Sequence, residues 1–127
     1  MDYLLDTHVL LWSIFDSDKL SQTAKQILLD NSCRKLISIA SMWEISIKNR
    51  IGKLPLPDGV PAIFNEADMN GFGIIGISRK CIEVYSGLPL LHRDPFDGIV
   101  IATALQKNMT IITTDENIQN YDVPWIW

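Results

Sequence analysis

Residues 92–105, HRDPFDGIVIATAL, decide how this chain is read. Asp94 followed by Pro95 is an N-cap and an N1 proline, so a helix starts here. Behind it run Ile99, Val100, Ile101, Ala102, Ala104 and Leu105. A helix this apolar is buried. Asp97 falls at the third helical position, where a carboxylate meets the positive end of the helix dipole. Two acids at the head of a buried helix raise the question of whether both only start it.

Working outward, the apolar pattern changes period repeatedly. Downstream, Thr110 to Thr113 is a short strand, and Val123 to Ile126 is a possible fifth. Upstream, Tyr3-Leu4-Leu5 is a buried strand ending at Asp6, and Thr7 to Phe15 follows at helical spacing. Ser21 caps a helix carrying Ala24, Ile27, Leu28 and Leu29. Lys35 to Ile39 is a second strand. Ser41 then precedes a helix with Met42, Trp43, Ile45, Ile47 and Ile51, stopped by Gly52. Pro55, Pro57, Gly59 and Pro61 mark a loop, and a helix near 60–69 follows. Gly73 to Ile77 is a third strand, Arg79 to Ser86 a helix, Leu88 to Arg93 a loop, and Pro95 to about Lys107 the helix of the opening stretch. Strands alternating with helices give an α/β layer fold with a mainly parallel sheet of four to five strands. No repeat, low-complexity segment or linker divides residues 1–127, so a single domain is expected.

The chain has 127 residues and is 47% hydrophobic, enough for a packed core. Fifteen acidic against eleven basic side chains leave a formal charge of −4. That argues against a basic groove as the main nucleic-acid grip. It leaves room for a nucleic-acid substrate, because bound metal ions invert the charge of an acidic pocket. Cys33 and Cys81 form neither a disulfide framework nor a zinc motif and read as free thiols in a reducing compartment. The apolar start carries Asp2, Asp6 and His8 but no Lys or Arg, unlike a signal peptide. No run is long enough to span a membrane. A cytoplasmic domain is expected.

Ligands of such sheets bind at the carboxyl ends of the strands. Asp6 ends the first strand, Glu44 and Asp97 each sit in the first turn of a helix, and Asp115 follows the strand TIITT. Each has a purely structural explanation. Ser41 and Glu44 fit the capping box S-x-x-E, Asp97 complements a dipole, and Asp6 and Asp115 are possible N-caps. Capping does not, however, require four acids to meet on one rim. Four carboxylates without basic partners repel and hold their protons unless a cation neutralises them. All-oxygen ligation suits Mg²⁺ or Mn²⁺, and the matching chemistry is metal-assisted attack of water on a phosphodiester. Thr7, Ser41 and Thr113 stand next to the acids and could orient ligands or water. Asp94 is assigned to the cap, with a second possibility that it faces the site. Lys48, Arg50, Lys53 and Arg93 are candidate phosphate contacts, with Lys48 also placed for a helix salt bridge to Glu44. His8 and His92 are read as structural. Trp12, Trp43, Trp125 and Trp127 are read as core or dimer packing rather than base stacking.

These blocks together resemble the PIN-domain ribonucleases, and among them the VapC-type toxins of bacterial toxin–antitoxin pairs. LLDTHVLLW (4–12) resembles the opening strand with a first acid, Asp6. SMWEISIKNRIGKLPLP (41–57) resembles the helix of the second, Glu44. LPLLHRDPFDGIVIATAL (88–105) resembles the third block, with Asp97, and TIITTDENIQNYDVPWIW (110–127) the closing one, with Asp115 and Thr113. The resemblance implies a three-layer α/β/α fold. It also implies an Mg²⁺- or Mn²⁺-dependent endoribonuclease that inhibits translation by cutting RNA. Asp6, Glu44 and Asp97 would hold the principal metal and Asp115 would complete the site. A homodimer and a small antitoxin protein covering the acidic groove are implied as well. One position departs from the pattern: close relatives carry Arg after the DPFD acid, and this chain has Gly98.

Three other readings are weaker. A phosphoacceptor receiver domain wants paired acids after the first strand and an acceptor Asp after the third, but Asp6 is followed by Thr7, and GIIGI leads into Ser78. A phosphatase of the haloacid dehalogenase type needs D-x-D, where this chain has Asp6-Thr7-His8. A non-catalytic binding module of the same fold predicts a lost acid, and none is missing.

Overall fold

The computed structural model describes residues 1–127. Five parallel strands form one sheet: β1 (Asp2–Leu5), β2 (Arg34–Ser38), β3 (Gly73–Ile75), β4 (Thr110–Ile112) and β5 (Trp125–Ile126). Their order is β3-β2-β1-β4-β5. Seven helices connect them: α1 (Thr7–Phe15), α2 (Gln22–Leu29), α3 (Ile39–Arg50), α4 (Val60–Met69), α5 (Arg79–Ser86), α6 (Pro95–Lys107) and α7 (Glu116–Gln119). The chain runs from β1 to β3 in one direction, then returns to place β4 on the other side of β1. The crevice where a sheet reverses direction in this way is where α/β proteins bind ligands. Here it opens between the ends of β1 and β4, just above Asp6 and Thr113.

Successive strand residues point to opposite faces. Leu5, Ile37 and Ile112 pack with Val9, Leu10 and Ile45 on one face. Their neighbours Leu4, Leu36 and Ile111 pack with Val100, Ile101 and Ile118 on the other. Helices cover both faces, which makes three layers. That is why β1, β2 and β4 each carry two adjacent buried apolar residues, Leu4-Leu5, Leu36-Ile37 and Ile111-Ile112, rather than an alternating pattern. Each fully buried Leu or Ile contributes roughly 1.5–3 kcal/mol. Helix α6 ends at Asn108, whose φ of 57° supplies the left-handed C-cap.

Several boundaries differ from the sequence reading. Helix α3 starts three residues earlier than expected, at Ile39. Ser38 caps it, its Oγ accepting from the Ala40 amide at 3.0 Å. Ser41 is therefore not a cap and no Ser41–Glu44 capping box forms. The Ser41 hydroxyl is buried without a hydrogen-bond partner, and Glu44 lies in the second turn rather than the first. Strand β3 stops at Ile75, before Gly76 and Ile77. Helix α7 and a 3-10 turn over Ser17–Lys19 were not anticipated. At four and three residues they are too short to show a periodicity.

Candidate active site

Asp6 stands at the N-cap position of α1, but its side chain makes no cap hydrogen bond. It accepts instead from Thr113 Oγ1, at 2.8 Å. The same hydroxyl accepts from the amide of Asp115 at 3.0 Å. One threonine thus ties the acid after β1 to the acid after β4 across the crevice. Next in the chain, Thr7 donates to Glu44 Oε1 at 2.8 Å. Glu44 also accepts from Lys48 Nζ at 2.7 Å. Lys48 is the one ammonium paired with this rim, and its carboxylate partner holds its pKa above the usual lysine value. The expected helix salt bridge is present, so the four acids are not wholly without a basic partner.

Asp94 and Asp97 divide the work at the head of α6. Asp94 Oδ1 accepts from the Phe96 amide at 2.9 Å and the Asp97 amide at 3.4 Å, which makes it the cap. Asp97 caps nothing; its carboxyl is buried and meets His92 Nε2 at 3.1 Å. Burial chiefly, then the negative charges of Asp94, Asp6, Asp115 and Glu44, push its pKa up to about 8. Burial likewise raises Asp6, with Asp115 adding to it. The charges of acids from four separate segments thus reach Asp97. Asp115 has a second duty, because Oδ1 caps α7 by accepting from the Asn117 amide at 2.9 Å.

His92 was read from sequence as structural; the structure places it against Asp97. His92, Asp94 and Asp97 present ligand atoms within 4.8 Å of one another. The only sequence signal was its position five residues before Asp97, and a loop conformation is needed to turn the imidazole inward. The Tyr121 hydroxyl supplies that constraint by accepting from the Leu91 and His92 amides at 3.2 and 3.1 Å. Of the other cationic candidates, Lys53 lines a groove beside Thr7 and Lys48. Arg50 and Arg93 are exposed and make no ion pair or side-chain hydrogen bond. Trp12 packs against Trp127 with ring centroids 5.9 Å apart, whereas Trp43 is 61% exposed and meets Phe96 edge-on at 5.4 Å.

Asp97 and Asp6, buried acids whose pKa values are both raised, are side chains that a divalent cation would suit. Their donor set is oxygen, with one imidazole at its margin. The model of the PIN domain family matches residues 3–124. The chain belongs to the PIN domain family. Solved structures share the fold of this PIN domain. VapBC2 from Rickettsia felis, bound to a DNA fragment from its promoter, superposes with a TM-score of 0.77 at 18% identity, covering 99% of this chain and 98% of the other. DNA-bound VapBC from Salmonella typhimurium gives 0.72 at 14%, covering 99% and 97%. FitAcB from Neisseria gonorrhoeae gives 0.70 at 17%, covering 98% and 96%. No curated protein sequence matches significantly. Family and strand order together set aside the receiver alternative, whose sheet runs 2-1-3-4-5.

Proposed function

We propose that this PIN domain is a divalent-metal-dependent endoribonuclease, the toxin of a VapC-type toxin–antitoxin pair that inhibits translation by cutting RNA. The observation that supports the reading is Asp97, a buried carboxyl clustered with His92 and Asp94, whose proton is held by burial and by the charges of Asp94, Asp6, Asp115 and Glu44. A helix cap does not call for a buried carboxyl crowded by other acids, whereas a cation site does.

In this reading Asp6, Glu44 and Asp97 hold Mg²⁺ or Mn²⁺, and Asp115 completes the site. The bound ion lowers the pKa of its water and offsets charge on phosphate oxygens. Thr113 keeps Asp6 and Asp115 in register, and Thr7 does the same for Glu44. His92 holds the outer oxygen of Asp97 and fixes its rotamer. Lys48 and Lys53 face the approach to the rim and favour a polyanion there despite the net acidic chain. Arg50 and Arg93 are free to make more distant phosphate contacts.

The partners follow from two surfaces. A toxin–antitoxin complex from Klebsiella pneumoniae shares this fold, with a TM-score of 0.67 at 21% identity, and a groove of about 520 Å³ beside Thr7 and Lys48 offers a cognate antitoxin protein a way to cover the rim. The exposed Trp43, with Ile39 one turn before it and Phe96 alongside, is an apolar face suited to a second copy of the chain. No helix is long and apolar enough to cross a membrane, consistent with action on cytoplasmic RNA.

The test uses the purified chain with structured RNA, in Mg²⁺, in Mn²⁺ and in EDTA, beside Asp6→Asn and Asp97→Asn. Cleavage by the wild type that needs metal and is lost in both variants is expected. Cleavage that persists in EDTA, or in both variants, sinks the assignment.

A further inference from the structure

A second hollow adjoins the acidic rim on its α5–α6 side. It has a volume of about 300 Å³ and is walled by Tyr85, Leu88, Pro89, His92, Gly98 and Tyr121. His92 is common to both places, because its imidazole contacts Asp97. The opposite wall exists because residue 98 is glycine. A Cβ there would lie 2.9 Å from Tyr85 Cδ2 and nearer still to Cε2. Real side-chain carbons do not approach so closely, so the Tyr85 ring rests on bare backbone in the first turn of α6, one residue past Asp97. Any larger residue, the familial Arg included, displaces that ring. The Tyr85 hydroxyl has no hydrogen-bond partner and the residue is 37% exposed. Its ring, not its polar tip, is what the glycine accommodates. The loop over the hollow is pinned by Tyr121 through the Leu91 and His92 amides.

We infer that this hollow receives one unpaired nucleobase of the RNA, adjacent to the scissile phosphate and stacked on Tyr85. The inference rests on the ribonuclease reading above and narrows its substrate class. A phosphate held at Asp97 leaves the neighbouring base within reach of a wall one residue away. The hollow lies at the small end of ligand sites, which suits one planar ring rather than a peptide segment. Aromatic stacking accepts every base, since each has a π-face. The two amides that could have read a base edge are already bound to Tyr121. The subsite therefore takes one splayed-out nucleotide without reading its sequence, and Tyr85 and Gly98 are the residues that position it.

The experiment measures steady-state cleavage of an RNA hairpin with an unpaired loop, in Mn²⁺, by wild type, Tyr85→Ala, Tyr85→Phe and Gly98→Ala. Fluorescence anisotropy with octauridylate carrying one abasic position, moved along the strand, runs beside it. Tyr85→Ala and Gly98→Ala are expected to raise KM about ten-fold, the size of one lost stack. Their kcat and their calorimetric Mn²⁺ affinity without RNA stay at the wild-type level, and Tyr85→Phe behaves as wild type. The abasic scan weakens wild-type binding at one position and Tyr85→Ala at none. An unchanged KM in Tyr85→Ala, a loss in Tyr85→Phe, or equal cutting of hairpin loop and perfect duplex overturns the base pocket while leaving the ribonuclease standing. Should Tyr85→Ala not fold, a wild-type scan with no sensitive position overturns it equally. A wild type that cuts no RNA in Mn²⁺ removes both.

Discussion

Glu44 and Asp97 occupy one rim and are almost equally hidden, at 4% and 8% exposed. Their surroundings nevertheless differ. Glu44 is met by a hydroxyl and an ammonium, from Thr7 and Lys48. Asp97 has one imidazole and four acids around it, and it retains a proton up to about pH 8. Burial is the main reason Asp97 holds its proton, and its acidic neighbours add to it, with no ammonium to oppose them as Lys48 does at Glu44. One half of the rim is paired within the fold, and the other half is crowded by like groups.

The largest expected difference between the halves is catalytic. Asp97→Asn should lower metal-dependent RNA cleavage by roughly 100-fold or more, since even residues that only orient ligands are worth 10- to 100-fold. It should cost little folding stability near neutrality, because the Asp97 carboxyl is already largely protonated there and the amide replaces one neutral group by another. Urea denaturation without metal checks this, and a marked loss of stability there would return Asp97 to the role of a structural helix-end acid. Thr113→Val comes next. It removes the donor to Asp6 and the acceptor of the Asp115 amide, and should weaken Mn²⁺ binding by about 10-fold in calorimetry.

Smaller effects sharpen the contrast. Glu44→Gln keeps the shape but loses the charge met by Lys48, and should destabilise the metal-free protein by about 1–2 kcal/mol in urea. Glu44→Gln then costs more than Asp97→Asn, and equal losses would erase the distinction. The pH response follows from Asp97. Its folded-state pKa lies near 8, above its ordinary 3.8, so between these values the folded chain binds the extra proton. Stability without metal is thus highest at the acidic end of that window, falls as pH rises toward 8, and is level with respect to this group above it. Asp6 acts in the same direction. Thermal unfolding from pH 5 to 8.5 should show a weaker decline in Asp97→Asn, and stabilisation by Mn²⁺ should grow with pH. The smallest effect expected is at Ser41. Removing its unpartnered hydroxyl with Ser41→Ala should leave stability unchanged or raise it by up to about 1 kcal/mol. A capping box would instead cost about 1 kcal/mol, so chemical denaturation separates the two.

Much of this molecule was legible before its structure. Helices α1, α5 and α6 were placed as they stand; the apolar residues of α1 recur at helical spacing, and α6 begins at the cap and proline of Asp94-Pro95. The start of α3 was misplaced because two serines, Ser38 and Ser41, compete for the cap. Local chemistry does not choose between them; the length of β2 pairing with β1 and β3 does. His92 was undervalued because its role depends on a loop pinned by Tyr121, 29 residues away. Gly98 stood out only as a departure, and its reason is a ring from another helix.

By itself the sequence determined the α/β pattern, the buried character of the strands and the acids at the strand ends. These depend on period, capping and turn chemistry, which act over a few residues. The tertiary structure decided which acids cap and which stay free, that Lys48 serves Glu44 and not Asp97, and that Tyr85 lies on Gly98. Those outcomes depend on side chains brought together across the sheet, where desolvation and mutual charge set protonation and no local pattern records the neighbour.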